Sequence, residues 1–201
     1  MPPRVKSPYN AGRPAVVEPI VQPIYDKVQF TAAGSSKLTW FAQAIGSAGV
    51  NELTTNMDTP NQFPNPKIAV ILGMRLHATQ LVGDGVITVA AQYTDLLKLF
   101  YSYWINLFIG AKSYLKIPAF YLSSGLGVQG SFGAAVTDQA AMNLGWPTFH
   151  SYWKCDRHPI TIPPQQNFRV EANQGADFPS DLSAARNVWC ILETDFGREV
   201  Q

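Results

Sequence analysis

Apolar residues in this chain recur with a period of two over short runs, and turn-forming residues break each run before it grows long. Lys37 to Ile45 (KLTWFAQAI) alternates loosely and predicts a strand stopping at Gly46. A loop rich in Asn, Asp, Thr and Pro follows, from Asn51 to Pro66. Lys67 to Thr79 (KIAVILGMRLHAT) predicts the clearest long strand, with Gly73 marking a bend or bulge. In its second half Met74, Leu76 and Ala78 share one face, and Arg75, His77 and Thr79 the other.

Gly83-Asp84-Gly85 signals a tight turn, and Val86 to Ala91 a short strand. Tyr93 to Phe100 is the helical candidate, a turn or two long, with Leu96, Leu97 and Phe100 on one side. Two aromatic-rich strands are expected across a turn at Gly110: Tyr101 to Ile109 and Ser113 to Leu122. Pro118 assigns the second to a sheet edge or a bulge. Glycines dominate Ser123 to Gly145, which reads as a long surface loop. Strands are expected again at Ser151–Cys155, in ITI (Ile160–Ile162), in NFRVEA (Asn167–Ala172) and in NVWCILET (Asn187–Thr194). In the last of these Val188, Cys190 and Leu192 oppose Trp189 and Ile191. Roughly seven to nine short strands, one short helix and turns throughout predict an all-β fold, a single jelly-roll β-barrel or sandwich with extended termini.

The first segment differs. Met1 to Ile24 carries six prolines, which forbid helix and predict an extended, polyproline-like arm preceding a single domain over 25–201. Val16, Val17, Ile20, Val21 and Ile24 give the arm something to bury, so docking on other subunits is expected; a loose tail is the alternative. Its basic residues, Arg4, Lys6 and Arg13, are candidate contacts to phosphate groups of nucleic acid or lipid on the inside of an assembly.

Composition narrows the function. With 201 residues there is material for one substantial core. Charged residues make up only 14% and the formal net charge is +1, so the surface has little ionic coat and little self-repulsion. Both features suit a surface largely covered by neighbouring copies. No apolar run of signal-peptide length opens the chain, and Leu96–Leu122 is interrupted by lysines, Gly110 and Pro118, against a membrane span. Cys155 and Cys190 sit among aromatic and apolar neighbours; two buried free thiols are expected, with a disulfide the alternative.

Catalytic patterns are missing. There is no GxSxG elbow around Ser123, Ser124 or Ser131. Asp177 and Asp181 bracket Pro179 in a turn, where aspartates usually cap. GLGVQG (Gly125–Gly130) lacks the GK[ST] ending of a phosphate loop, and His150 and His158 flank Cys155 without zinc-ligand spacing. No enzyme, cofactor, metal or small-molecule substrate is therefore expected. Exposed Trp146, Tyr152 and Trp153 would instead suit a carbohydrate- or receptor-binding sandwich, although core or interface packing is the commoner fate of such rings.

Three passages carry a family likeness: TTNMDTPNQFPNPKIAVILGMRLH (Thr54–His77), INLFIGAKSYLKIPAFYLSSGLGVQG (Ile105–Gly130), and ITIPPQQNFRVEAN (Ile160–Asn173) with AARNVWCILETDFGREVQ (Ala184–Gln201). In these the chain resembles the jelly-roll capsid proteins of tailless icosahedral bacteriophages, some of which enclose a lipid membrane. The resemblance implies one upright β-barrel per subunit, grouping into capsomers, extended termini that tie capsomers together, and residence in the virion shell. Its implied partners are copies of itself and other capsid proteins. It brings no catalytic residues. The chain departs from double-barrel members in having length for one barrel only.

Overall fold

A computed structural model describes residues 17–79, 90–123, 152–155, 157–175 and 181–199. Among these residues two antiparallel sheets and one α-helix make an all-β sandwich. In chain order the elements are β1 (Val17–Val21), β2 (Ile24–Phe30), β3 (Lys37–Trp40), β4 (Ile68–Thr79), α1 (Ala90–Ser102), β5 (Tyr103–Ile109), β6 (Lys112–Pro118), a 3₁₀ turn (Ala119–Leu122), β7 (Trp153–Lys154), β8 (Ile160–Ile162), β9 (Phe168–Gln174) and β10 (Arg186–Glu199).

In the larger sheet the long β10 lies between β4 and, end to end along its other side, β1 and β2; β7 and β8 flank β4. The smaller sheet runs β3-β9-β5-β6. Pro118 thus ends an edge strand, where a missing N–H costs no ladder bond.

Alternation decides what is buried. Met74, Leu76 and Ala78 meet Val188, Cys190 and Leu192 across the β4–β10 ladder and face the smaller sheet, whose Ile105, Leu107, Leu115, Val170 and Ala172 point back at them. Aromatic rings fill the ends: Phe30 meets Tyr103 edge-on at 5.2 Å, and Phe63 stacks on Phe168 at 4.9 Å. Trp40 is fully buried and donates its indole N–H to the Val188 carbonyl at 3.0 Å.

Gly73 marks a bulge. Consecutive Glu193 and Thr194 face Gly73 and Ile71, so Leu72 is an extra residue in β4. The phase shift lets both Ile71 and Met74 point inward although they are three positions apart. The bulge also presents a backbone without Cβ to the Tyr152 ring: a Cβ at position 73 would lie 2.2 Å from that ring and 2.5 Å from the Trp153 carbonyl. Cys155 and Cys190 are both buried free thiols, and burial, with Asp26 adding to it, raises the Cys190 thiol pKa well above its usual value.

Several expectations need correction. The strand expected over Lys37–Ile45 ends at Trp40, because Phe41 turns into the left-handed region (φ 69°) and gives its N–H to the Asp26 carboxylate at 2.5 Å. Ala90 and Ala91, expected at the end of a strand, begin α1, which is 13 residues long rather than a turn or two. The strand expected over Ser113–Leu122 stops at Pro118 and tightens into the 3₁₀ turn. Within the proline-rich segment Val17–Val21 pairs with Asp195–Glu199 as an edge strand. The β2 strand had no counterpart among the expected elements. The glycine-rich loop from 124 to 145 and the turn at 83–85 lie outside the described residues.

Candidate functional site

Among the described residues, two surfaces and two interior clusters hold most of the polar or aromatic groups not explained by simple packing. The first surface is built where α1 and β6 end. In the 3₁₀ turn, residues three apart eclipse one another, so Ala119 and Leu122 bury together while Phe120 and Tyr121 are turned outward. Tyr101 lies on the side of α1 opposite the buried Leu96, Leu99 and Phe100. Its ring stacks on Phe120 at 5.4 Å and 23°, and Phe120 meets Tyr121 at 5.2 Å. The three rings are 57%, 42% and 64% exposed. Rings of this size each gain about 1.5–3 kcal/mol when fully buried, and here about half of that is forgone.

The second surface is the outward face of the smaller sheet. On β5, Trp104, Asn106 and Phe108 alternate with the buried Ile105, Leu107 and Ile109. On β6, Tyr114 and Lys116 alternate with the inward Leu115 and Ile117; a bulge at Tyr114 then shifts the register, so that Lys112, also exposed, stands opposite Ile109 at the hairpin end. β9 adds Arg169, Glu171 and Asn173, and β3 adds Lys37. Each cation on β6 and β9 covers a ring: Lys116 over Trp104 at 5.4 Å, Lys112 over Tyr114 at 5.0 Å, and Arg169 over Phe108 at 4.5 Å. Glu171 is the only acid in these four strands. Burial pushes its carboxyl up, but Arg169 at 2.6 Å and Lys37 at 2.8 Å outweigh this and hold it below the ordinary range. Asn106 is only 9% exposed, and its Oδ1 has no hydrogen-bond partner; nor has Nδ2 of Asn173.

The interior clusters serve the fold. Asp95 on α1 accepts hydrogen bonds from Arg186 Nη2 at 2.6 Å and from the Ser183 N–H at 2.8 Å, with Asp95 and Arg186 both nearly inaccessible. Lys98 reaches the Asp181 carbonyl at 2.7 Å, one turn along. These bonds clamp the helix to the start of β10. Asp26 lines a cleft of about 340 Å³ together with Lys27, Thr39, Gln43, Thr54 and Asn187. Burial is the largest influence on Asp26 and raises its pKa from 3.8 to about 6, against hydrogen bonds from the Phe41 and Lys27 backbones and Thr55. A carboxyl titrating near 6 is a conventional candidate acid. This one is committed to the Phe41 amide, and its neighbour across the ladder, Cys190, has no solvent access.

Comparison of the chain with protein-family models, with curated proteins and with solved structures finds no match.

Other candidates fall as follows. Arg4, Lys6 and Arg13, and likewise Trp146, lie outside the described residues. Trp153 is half-buried against the core, and the Tyr152 ring rests on Gly73 with Lys154 over it at 5.3 Å. His77 lies on the outward face of β4, half-buried, and burial, then Arg75, lower its pKa. Asp181 pairs with Lys98. Among the described residues no three of His, Cys, Asp or Glu gather as metal ligands, and no helix is long and apolar enough to cross a membrane. Neither outward surface was singled out from the sequence. The Tyr101–Tyr121 cluster needs the 3₁₀ turn in place of a strand, and the basic face emerges only once β3, β9, β5 and β6 are set side by side.

Proposed function

We propose that this chain is a structural subunit of a virus shell, a jelly roll that assembles with copies of itself. Support for the jelly roll comes from the ladder pattern. Eight strands pair outermost with outermost: β2 with β10, β3 with β9, β4 with β8 and β5 with β6. A chain folded into one long hairpin has these rungs. Rolling that hairpin up then adds the two remaining contacts, β10 with β4 and β9 with β5.

The single observation carrying self-assembly is the exposed stack of Tyr101, Phe120 and Tyr121. Large contiguous rings left in water mark an association surface. A second copy is the occupant that the composition favours, because a chain with 14% charged residues and a net charge of +1 repels its own kind little. Lys112, Lys116 and Pro118 on the neighbouring edge strand obstruct strand-to-strand addition, which directs contact to side-chain faces.

Light scattering after gel filtration, with negative-stain microscopy, tests this. Wild-type protein is expected to form defined capsomers or larger regular particles. The double variant Phe120→Asp/Tyr121→Asp is expected to keep its circular dichroism and unfolding midpoint, both sites being exposed, while shifting to smaller species. A wild-type chain that stays monomeric and retains an oligosaccharide, or a double variant that assembles normally, would overturn the reading.

A further inference from the structure

The two sheets differ in charge. The strands of the larger sheet contain as many acidic as basic residues. The smaller sheet's strands contain four cations and one carboxylate, Lys37, Lys116, Arg169 and Glu171 on the outward face and Lys112 exposed at the hairpin end, and that carboxylate is already shared between Arg169 and Lys37. Lys112 and Lys116 have no acidic partner among the described residues. Cation–ring pairs put electron-rich ring faces beside the positive charge. Beneath them lie two buried amide atoms without a hydrogen-bond partner, Asn106 Oδ1 and Asn173 Nδ2, two of seven such side-chain atoms among the described residues. Asn106 sits directly across from Lys116 on one side and Glu171 on the other.

We propose that the outward face of β3-β9-β5-β6 binds single-stranded nucleic acid. Trp104 and Phe108 lie four residues apart on one side of β5, roughly 13 Å at the usual strand rise. That separation seats one base on Trp104 and another on the Arg169 guanidinium that covers Phe108, with Asn106 between them. Lys116 swings from Trp104 to a phosphate as a base takes over that ring face, Lys112 leaves Tyr114 for a phosphate likewise, and Arg169 stays on Phe108, held by Glu171. Unpaired bases are required, because a duplex hides the ring faces this surface would stack on. A lipid headgroup layer fits less well: its binding needs protruding apolar side chains, whereas Trp104 and Phe108 are half-buried under their cations, and it leaves the two amides unused. The inference stands apart from the shell reading, because it concerns a different face and a different partner.

The test uses the full chain and a fluorescein-labelled oligothymidylate of about 20 nucleotides, followed by fluorescence anisotropy over a salt series. Binding is expected at about 50 mM salt, weakening with a log–log slope near −2, for roughly three phosphates at about 0.7 each. Lys112→Gln/Lys116→Gln is expected to lower affinity about tenfold and flatten the slope by about 1.4. Trp104→Leu is expected to lower affinity about tenfold while leaving the slope unchanged, because stacking releases no counterions. Unchanged near-ultraviolet circular dichroism in the lysine variant, whose altered side chains are exposed, confirms that the fold is intact. Three results would overturn the proposal: no binding at low salt, binding lost only when Arg4, Lys6 and Arg13 are changed to Gln, or phosphatidylglycerol vesicles binding in preference to the oligonucleotide through the same lysines.

Discussion

Asp26 provides a quantitative check on the sandwich interior. It is 4% exposed on the inward side of β2, and its carboxyl titrates at about 6 in the fold against 3.8 when free in water. The folded chain therefore holds this proton to higher pH than the unfolded chain does. Below about pH 4 the group is neutral in both states and costs nothing. Stability falls as pH rises through the window from 3.8 to 6. Above it the cost is constant at about 3 kcal/mol, since each pH unit between the two values is worth about 1.36 kcal/mol. Integrated over the window, wild type loses about 1.4 kcal/mol between about pH 5 and about pH 7.5 through this group alone. Asp26→Asn keeps an acceptor for the Phe41 N–H and removes the charge. Urea unfolding followed by tryptophan fluorescence, at one protein concentration, is expected to show the variant gaining on wild type by about that amount across the same interval. At neutral pH the variant is expected to be the more stable protein. Parallel pH profiles for the two proteins would refute the buried-carboxylate account.

Two further outcomes follow from the packing. Arg186→Ala leaves Asp95 charged and buried without its cation, and is expected to cost about 3–5 kcal/mol in urea unfolding, whereas Asp95→Asn/Arg186→Met is expected to cost clearly less; equal losses would mean the ion pair is not what holds α1. Gly73→Ala forces a methyl into the Tyr152 ring and the Trp153 carbonyl, and is expected to cost about 1–3 kcal/mol with a changed near-ultraviolet spectrum, so an unaltered spectrum and midpoint would contradict the bulge geometry.

What could be read from the sequence was whatever a local pattern discloses. Strand β4, both faces of its second half and its glycine irregularity were legible, as were β8, β9 and most of β10, because apolar residues there either alternate or run together with β-forming side chains. Strand β2 was not, for a physical reason: one of its inward positions holds Asp26, so Ile24, Asp26, Val28 and Phe30 do not read as an apolar stripe. The same carboxylate also hid the end of β3, since nothing local announces that Phe41 will turn to positive φ to reach it. Strand β1 was masked by Pro19, which an edge position tolerates. The outward surfaces were illegible because they depend on neighbours distant in sequence: Lys116 meets Trp104, and Arg169 meets Phe108, only through the sheet.

The position of β10 bears on how a newly made chain folds. Residues 186–199 form the middle of the larger sheet, yet they follow in sequence every strand they pair with. Until they emerge, β4 has a bare inner margin and β2 has nothing to lie against, so that layer closes only once this segment has been made. During that wait the vacant place can accept the corresponding segment of a neighbouring polypeptide, and swapping of this strand between nascent molecules is the characteristic error to which such a topology is open.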